Sequence, residues 1–245
     1  MSSNFREFIN DLENEGELHR VKVEVDPELE ITEIAIRAQK ENKPALLFEN
    51  VKGSNYPLAI NTFASDKRIE IALGQNPEEI GNELLNFIEA LRPPKIKEIF
   101  KQRKTIKRFL AFPPKKMSKR LPNQVVEKGL DELPILKCWP EDGGKFITLP
   151  LVQTNDPVTN IPNLGMYRLH VYDKKSTGMH MQIGKGGGYH YQEAEKLNNN
   201  LPVAVTIGGD PVLTIASIMA LPEGVGELEF AGLVRKKRTR LSKCK

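Results

Sequence analysis

Apolar and polar positions recur along this chain with two periods, and the change from one to the other divides it. The first period is helical. Phe5, Phe8, Ile9 and Leu12 fall on one face, Asn4 stands where a capping side chain belongs, and Gly16 where a helix ends, so a helix is predicted over residues 4–15. Residues 18–25 alternate as a strand does. Asp26-Pro27 opens a second predicted helix, running to Gln39 with Leu29, Ile31, Ile34, Ala35 and Ala38 inward. Short apolar strands are expected at 45–48 and 58–63. A helix beginning at Ser65-Asp66 ends at Gly74, and Pro77 sits in the first turn of a long helix reaching Leu91, where Pro93-Pro94 stops it.

From Leu133 onward the pattern shortens. Strands are predicted at 146–152, 165–172, 178–183, 203–207 and 227–233, separated by turn residues at Asn155-Asp-Pro157, Asp173-Lys-Lys175 and Asn198-Asn-Asn200. Two helices interrupt them, at 189–196 and 210–219. The expectation is an α+β fold of three parts. Residues 1–92 form an N-terminal α+β domain, 93–132 a basic, proline-rich connector, and 133–245 a barrel or sandwich of short strands.

Composition narrows the class. With 245 residues, 39% hydrophobic and 28% charged, the chain has enough apolar surface for one large domain or two ordinary ones. No apolar run approaches bilayer length, and Met1-Ser-Ser-Asn-Phe-Arg6 has no apolar signal core, so a cytoplasmic protein without membrane contact is expected. Cys138 and Cys244 are too few for a disulfide framework or a cysteine-only zinc site. The net charge of +4 is concentrated: residues 235–245 hold seven Lys or Arg and no acid, and residues 92–120 hold twelve against Glu98 alone. Such blocks can bind polyanions. Few aromatic side chains are interleaved with them, so a solvated surface is the better reading and nucleic-acid binding the lesser one.

The candidate chemistry lies in Asn163-Leu-Gly-Met-Tyr-Arg168, Thr177-Gly-Met-His180 and the glycine-rich run from Gly184 to Gly188. Arg168 carries a rigid fork of donors suited to carboxylate or phosphate, and Asn163 a neutral oxygen suited to a hard cation. The glycine run is not a Walker-type loop, because no Ser or Thr follows its Gly-Lys pair. Gly208-Gly209-Asp210-Pro211 leads into a helix that either faces a phosphate or simply turns the chain.

These segments, with Cys138-Trp-Pro-Glu-Asp-Gly-Gly-Lys-Phe-Ile-Thr-Leu-Pro150, Leu201-Pro-Val-Ala-Val-Thr-Ile-Gly-Gly-Asp-Pro211 and Leu221-Pro-Glu-Gly-Val-Gly-Glu227, resemble in order the UbiD-like carboxy-lyases. So do Phe5-Arg-Glu-Phe8, Val25-Asp-Pro27 and Leu47-Phe-Glu-Asn-Val51 near the start. The resemblance implies an N-terminal α+β domain, a split β-barrel holding prenylated FMN, and a C-terminal α/β domain. By the same resemblance the barrel is incomplete here, and the C-terminal domain and two catalytic glutamates are absent. It implies decarboxylation of an aromatic or α,β-unsaturated carboxylic acid, with the modified flavin as electron sink. Arg168 matches the catalytic arginine. Asn163, Met166, Tyr167, Arg168, Gln182, Ser217 and Met219 match cofactor-binding positions, and Asn163 and Glu227 match ligands of a divalent metal, Mn or Mg, with K as a further ion. The family's metal-binding histidine falls on Gly184, with His180 and His190 as the available substitutes. The partners implied are a carboxylic acid substrate, a flavin prenyltransferase as cofactor supplier, and a second copy or a complementing C-terminal chain. A non-catalytic accessory protein is the alternative reading. An unfinished barrel would leave 227–233 as an exposed edge strand, so self-association is expected.

Overall fold

The computed structural model describes residues 2–91, 111–117, 129–182, 184–221 and 225–242. Most of the basic connector, Cys244, Ile183 and residues 222–224 lie outside the described residues.

The first layer forms around a three-stranded sheet of order β1-β2-β3: β1 (Leu18–Val25) parallel to β2 (Ala45–Val51), and β3 (Leu58–Ile60) antiparallel to β2. The crossover between the parallel strands is α2 (Glu30–Lys40), as parallel pairing requires. β2 is apolar at every position from Ala45 to Phe48 because both its faces are covered. Ala45 and Leu47 pack against Phe8, Ile9 and Leu12 of α1 (Phe5–Asn14) and Ala72 of α3 (Asp66–Leu73). Leu46 and Phe48 pack against Ile31 of α2 and Leu136. Both helix starts are capped as their sequences require: Asn4 accepts from the Glu7 amide, and Ser65 from the Arg68 amide. Gly74 ends α3 in the left-handed conformation at φ 67°. α2 begins three residues after Pro27, with Leu29 at φ 68° just before it. The alternation expected in β1 fails at Val23, which is 69% exposed, because the register slips by one residue between Val21 and Glu24. The long fourth helix, α4, is Pro77–Leu91.

Beyond the connector, the short strands form separate small sheets. β4 (Lys115–Lys116) pairs in parallel with β11 (Arg240–Leu241), bringing two distant basic segments side by side. β5 (Phe146–Ile147), β8 (Leu169–Val171) and β9 (Thr177–Met179) form one antiparallel sheet. β6 (Leu151–Asn155), β7 (Pro162–Met166) and β10 (Val203–Thr206) form another, of order β10-β6-β7. Two of the expected strands are therefore each divided: 146–152 is broken before Leu151, and 165–172 before Leu169. The break at Tyr167-Arg168 passes the chain from one sheet to the other. The turns are set by aspartates: Asp156 accepts from the Val158 and Thr159 amides, and Asp173 from those of Lys175 and Ser176. No closed barrel forms among the described residues.

One element differs in kind from its expectation. Residues 227–233 are not an edge strand but the greater part of a helix, Glu227–Arg235. Leu228, Phe230, Ala231, Leu233 and Val234 are all buried in it, too many successive positions for a strand with one wet face. Phe230, Ala231 and Val234 join Val212 and Ala216 of the helix Pro211–Ala216 and Leu73 and Ile80 of α3 and α4, and Leu228 joins Leu151 and Leu164. Glu227 and Glu229 in the first turn and Arg235 in the last oppose the helix dipole.

Candidate functional site

β7 is the strand about which the candidate residues gather. Its neighbour on one side is β6, with Asn163 opposite Thr154. On its other side the amide of Leu164 donates to Oε2 of Glu227 at 3.2 Å, so the carboxylate at the start of the last helix closes the strand edge beside Asn163. Above lies the helix Gly186–Lys196, which begins three residues ahead of the predicted start at Tyr189.

The glycine run makes that arrangement possible by what it lacks. A Cβ on Gly186 would run into the Asn163 amide, and one on Gly187 would lie 2.8 Å from the Tyr167 hydroxyl. The Gly187 amide donates to that hydroxyl at 3.0 Å. Gly165 likewise leaves room for the Tyr167 ring, which is 7% exposed. His190, one turn further on, is buried, with Nδ1 2.8 Å from Oγ1 of Thr154. Burial lowers its pKa from the ordinary value, so it is neutral at pH 7. That bond ties the helix to β6 through Nδ1.

Gly184 itself has φ 86°, a conformation L side chains rarely adopt, and a Cβ there would meet nothing within 4 Å. His180 is exposed at the end of β9. Among the described residues there is no group of three His, Cys, Asp or Glu that could hold a metal ion. What β7 presents is a carboxylate and an amide whose buried Nδ2 has no partner. An orphaned amide nitrogen is satisfied by a phosphate oxygen; turned over, the same amide offers its oxygen to a cation. A neutral oxygen and a carboxylate suit a hard cation with oxygen ligands, and the donor set fits such an ion better than one requiring nitrogen.

Arg168 forms a second group. Its Nη2 donates to Oδ2 of Asp142 at 2.7 Å, and its Cζ lies 3.7 Å from the Phe146 ring centroid. Phe146 stacks on His170 at 4.4 Å, and Tyr172 meets His170 edge-on at 4.8 Å. The Arg168 guanidinium holds the Asp142 carboxyl below the usual carboxylate range. Sequence reasoning missed Asp142 and Phe146, although both lie in a quoted segment, because nothing local announces a partner 26 positions away.

The other candidates are dispersed. Met166 packs on the Leu151, Leu164 and Leu228 cluster. Gln182 is exposed, and its carbonyl accepts from the Lys185 amide at 3.2 Å. Ser217 donates to the Thr214 carbonyl at 2.8 Å, and Met219 is 42% exposed. The turn before the helix Pro211–Ala216 is not a phosphate seat. Asp210 accepts from the Val212 amide at 2.9 Å and pairs with Arg235 at 2.8 Å, so a buried carboxylate already occupies the helix start.

Comparison with known proteins agrees with this architecture. Residues 115–245 match the 3-octaprenyl-4-hydroxybenzoate carboxy-lyase Rift-related domain, and residues 9–88 the N-terminal domain of the same carboxy-lyase. A protein of Archaeoglobus fulgidus is 46% identical over 241 residues, covering 98% of this chain and 50% of its own length. A protein of Chlamydia pneumoniae, named as one of the subunits of 4-hydroxybenzoate decarboxylase, is 41% identical over 228 residues, covering 92% of this chain and 39% of its own. The chain thus spans about half the length, or less, of these relatives. Among solved structures, vanillic acid decarboxylase of Sedimentibacter hydroxybenzoicus in its closed form superposes with a TM-score of 0.77 at 26% identity, over 100% of this chain and 51% of that one. A UbiD-class enzyme of Pelotomaculum thermopropionicum in complex with prFMN shares the fold, with a TM-score of 0.75 at 24% identity over 100% of this chain and 53% of that one. With both parts of the chain matched in order, this chain belongs to the UbiD family.

Proposed function

We propose that this chain is the flavin-holding part of a decarboxylase that acts on an aromatic or α,β-unsaturated carboxylic acid. The observation that carries the reading is the cradle at β7, where an unpartnered buried amide, a carboxylate and a glycine-led helix start converge. In this reading Asn163 and Glu227 would hold a divalent cation, Mg or Mn, which would supply positive charge for the phosphate of prenylated FMN, with K as an accessory ion. Tyr167, Met166, Gln182, Ser217 and Met219 line the cofactor. The cofactor supplies the electron sink for loss of CO2. Arg168 supplies the positive charge that orients a carboxylate or polarises the flavin edge.

The proton that replaces CO2 needs an acid, and general acid catalysis is commonly worth about a hundred- to ten-thousand-fold. Asp142 beside Arg168 does not qualify, because its depressed pKa keeps it ionised at neutral pH. We therefore place the acid outside residues 1–245, in the part that these relatives, about twice as long, have beyond the matched region, or on a partner polypeptide, as the relative named as one subunit of a decarboxylase suggests. The flavin-holding unit is residues 133–245, joined through 93–132 to an N-terminal unit of residues 1–92.

The test is an absorbance spectrum after co-expression with a flavin prenyltransferase, in buffer with manganese and potassium. The expected result is a bound flavin band that is lost in Arg168→Ala. A folded, colourless protein would overturn the reading.

A further inference from the structure

We propose that Asp142 is the positioning residue of this site: its carboxylate fixes the Arg168 guanidinium so that one donor-bearing edge stays free for an oxygen of an anionic ligand. The inference rests on the reading of Arg168 as a ligand-facing group and assigns the residue that aims it.

A guanidinium is located by fixing one edge and one face, and both are fixed here. Asp142 takes Nη2 at 2.7 Å, and the Phe146 ring takes a face at 3.7 Å. Among the described residues Nε and Nη1 hold no hydrogen bond, and the Arg168 side chain is 40% exposed while that of Asp142 is 13% exposed. A sheltered acceptor holding a half-open donor leaves the free edge of the guanidinium open to solvent and to a ligand.

The platform beneath is also constrained. Phe146 cannot slide, because it stacks on His170 at 4.4 Å with an interplanar angle of 18°. Gly143 and Gly144 lie directly on the same histidine: a Cβ on Gly144 would be 2.7 Å from His170 Nε2, and one on Gly143 3.4 Å from Cε1. A side chain at Gly144 would push the loop carrying Asp142 off the aromatic stack, and one at Gly143 would just touch it. The Asp142 amide in turn closes a turn onto the Trp139 carbonyl at 3.1 Å. Asp142 is therefore held by its own loop, independently of Arg168. Its carboxylate stays charged at neutral pH, so the geometry persists where the proposed cofactor binds.

FMN serves as the probe, followed by quenching of its fluorescence in the presence of manganese, with a melting curve recorded for each variant. Arg168→Ala and Asp142→Ala are each expected to raise the Kd about tenfold. Because one residue acts through the other, the double variant should bind no worse than either single one. Asp142→Glu, which keeps the charge, should recover part of the loss. A merely structural Asp142 would lower the melting temperature and leave the Kd alone, which overturns the proposal. So does an Asp142→Ala effect that is undiminished in the Arg168→Ala background. An unchanged Kd in Arg168→Ala, or no binding by the natural chain at about 1 mM FMN, overturns the flavin site itself and the assignment of Asp142 with it.

Discussion

Arg68 shows how much one buried side chain can organise. Its side chain is 5% exposed; Nε pairs with Glu17 at 2.9 Å, and the two terminal nitrogens bond to the carbonyls of Asn61 and Lys43 at 2.8 and 2.5 Å. It thereby ties α3 to the loops around β1, β2 and β3. Arg68→Met would keep the bulk and leave a carboxylate and two carbonyls unpaired. The expected cost is about 3 kcal/mol, a fall in melting temperature of about 6–12 °C for a chain of this size. A change under about 1 kcal/mol by denaturant unfolding would mean that water replaces the arginine. Gly186 and Gly187 act at the same scale in the opposite sense, since absent atoms bring Asn163 and Tyr167 under the helix. Their small size could be read from the sequence. The neighbours that demand it could not, because they come from 20 or more positions away.

At the scale of elements, His190 is the pin between the helix Gly186–Lys196 and β6. Its pKa is lowered by burial, so the unfolded chain binds a proton more readily than the folded one. Stability is accordingly full above pH ~6.5, the unperturbed histidine value, and falls as the pH drops below it. Melting curves at pH ~7.5 and ~5.5 should differ, and His190→Gln, which retains a hydrogen-bonding group for Thr154, should lessen the difference. An equal acid loss in both proteins would assign it to carboxylates instead. Elements were legible where local signals agreed: the cap at Asn4, the stop at Gly74 and the period of α1 sufficed. They were illegible at 227–233, where alternate and successive apolar residues satisfy a strand and a buried helix alike. The helix won because neighbours from α3 and α4, from Pro211–Ala216, and from β6 and β7 cover it on several sides.

For the whole molecule, that helix moves the exposed edge elsewhere. Among the described residues β10 is bordered on one side only, by β6; Val203 and Val205 on it are 40% and 42% exposed, and Ile207 just past its end 52%. A bare edge with a row of β-branched residues pairs readily with another chain. The chain should therefore associate at high concentration, and Val205→Lys should shift it toward monomer in light scattering. A natural chain that stays monomeric would show that this edge is protected. The order of elements through α4, the caps at Asn4 and Ser65 and the aspartate turns were legible in the sequence itself, because local spacing encodes them, as was the family, because a matching series of motifs does. The pairing of Arg168 with Asp142, the closure of β7 by Glu227, the bond between His190 and Thr154 and the helical state of 227–235 were decided only by the tertiary structure. Each depends on which distant groups exclude water from it, and no local pattern records that.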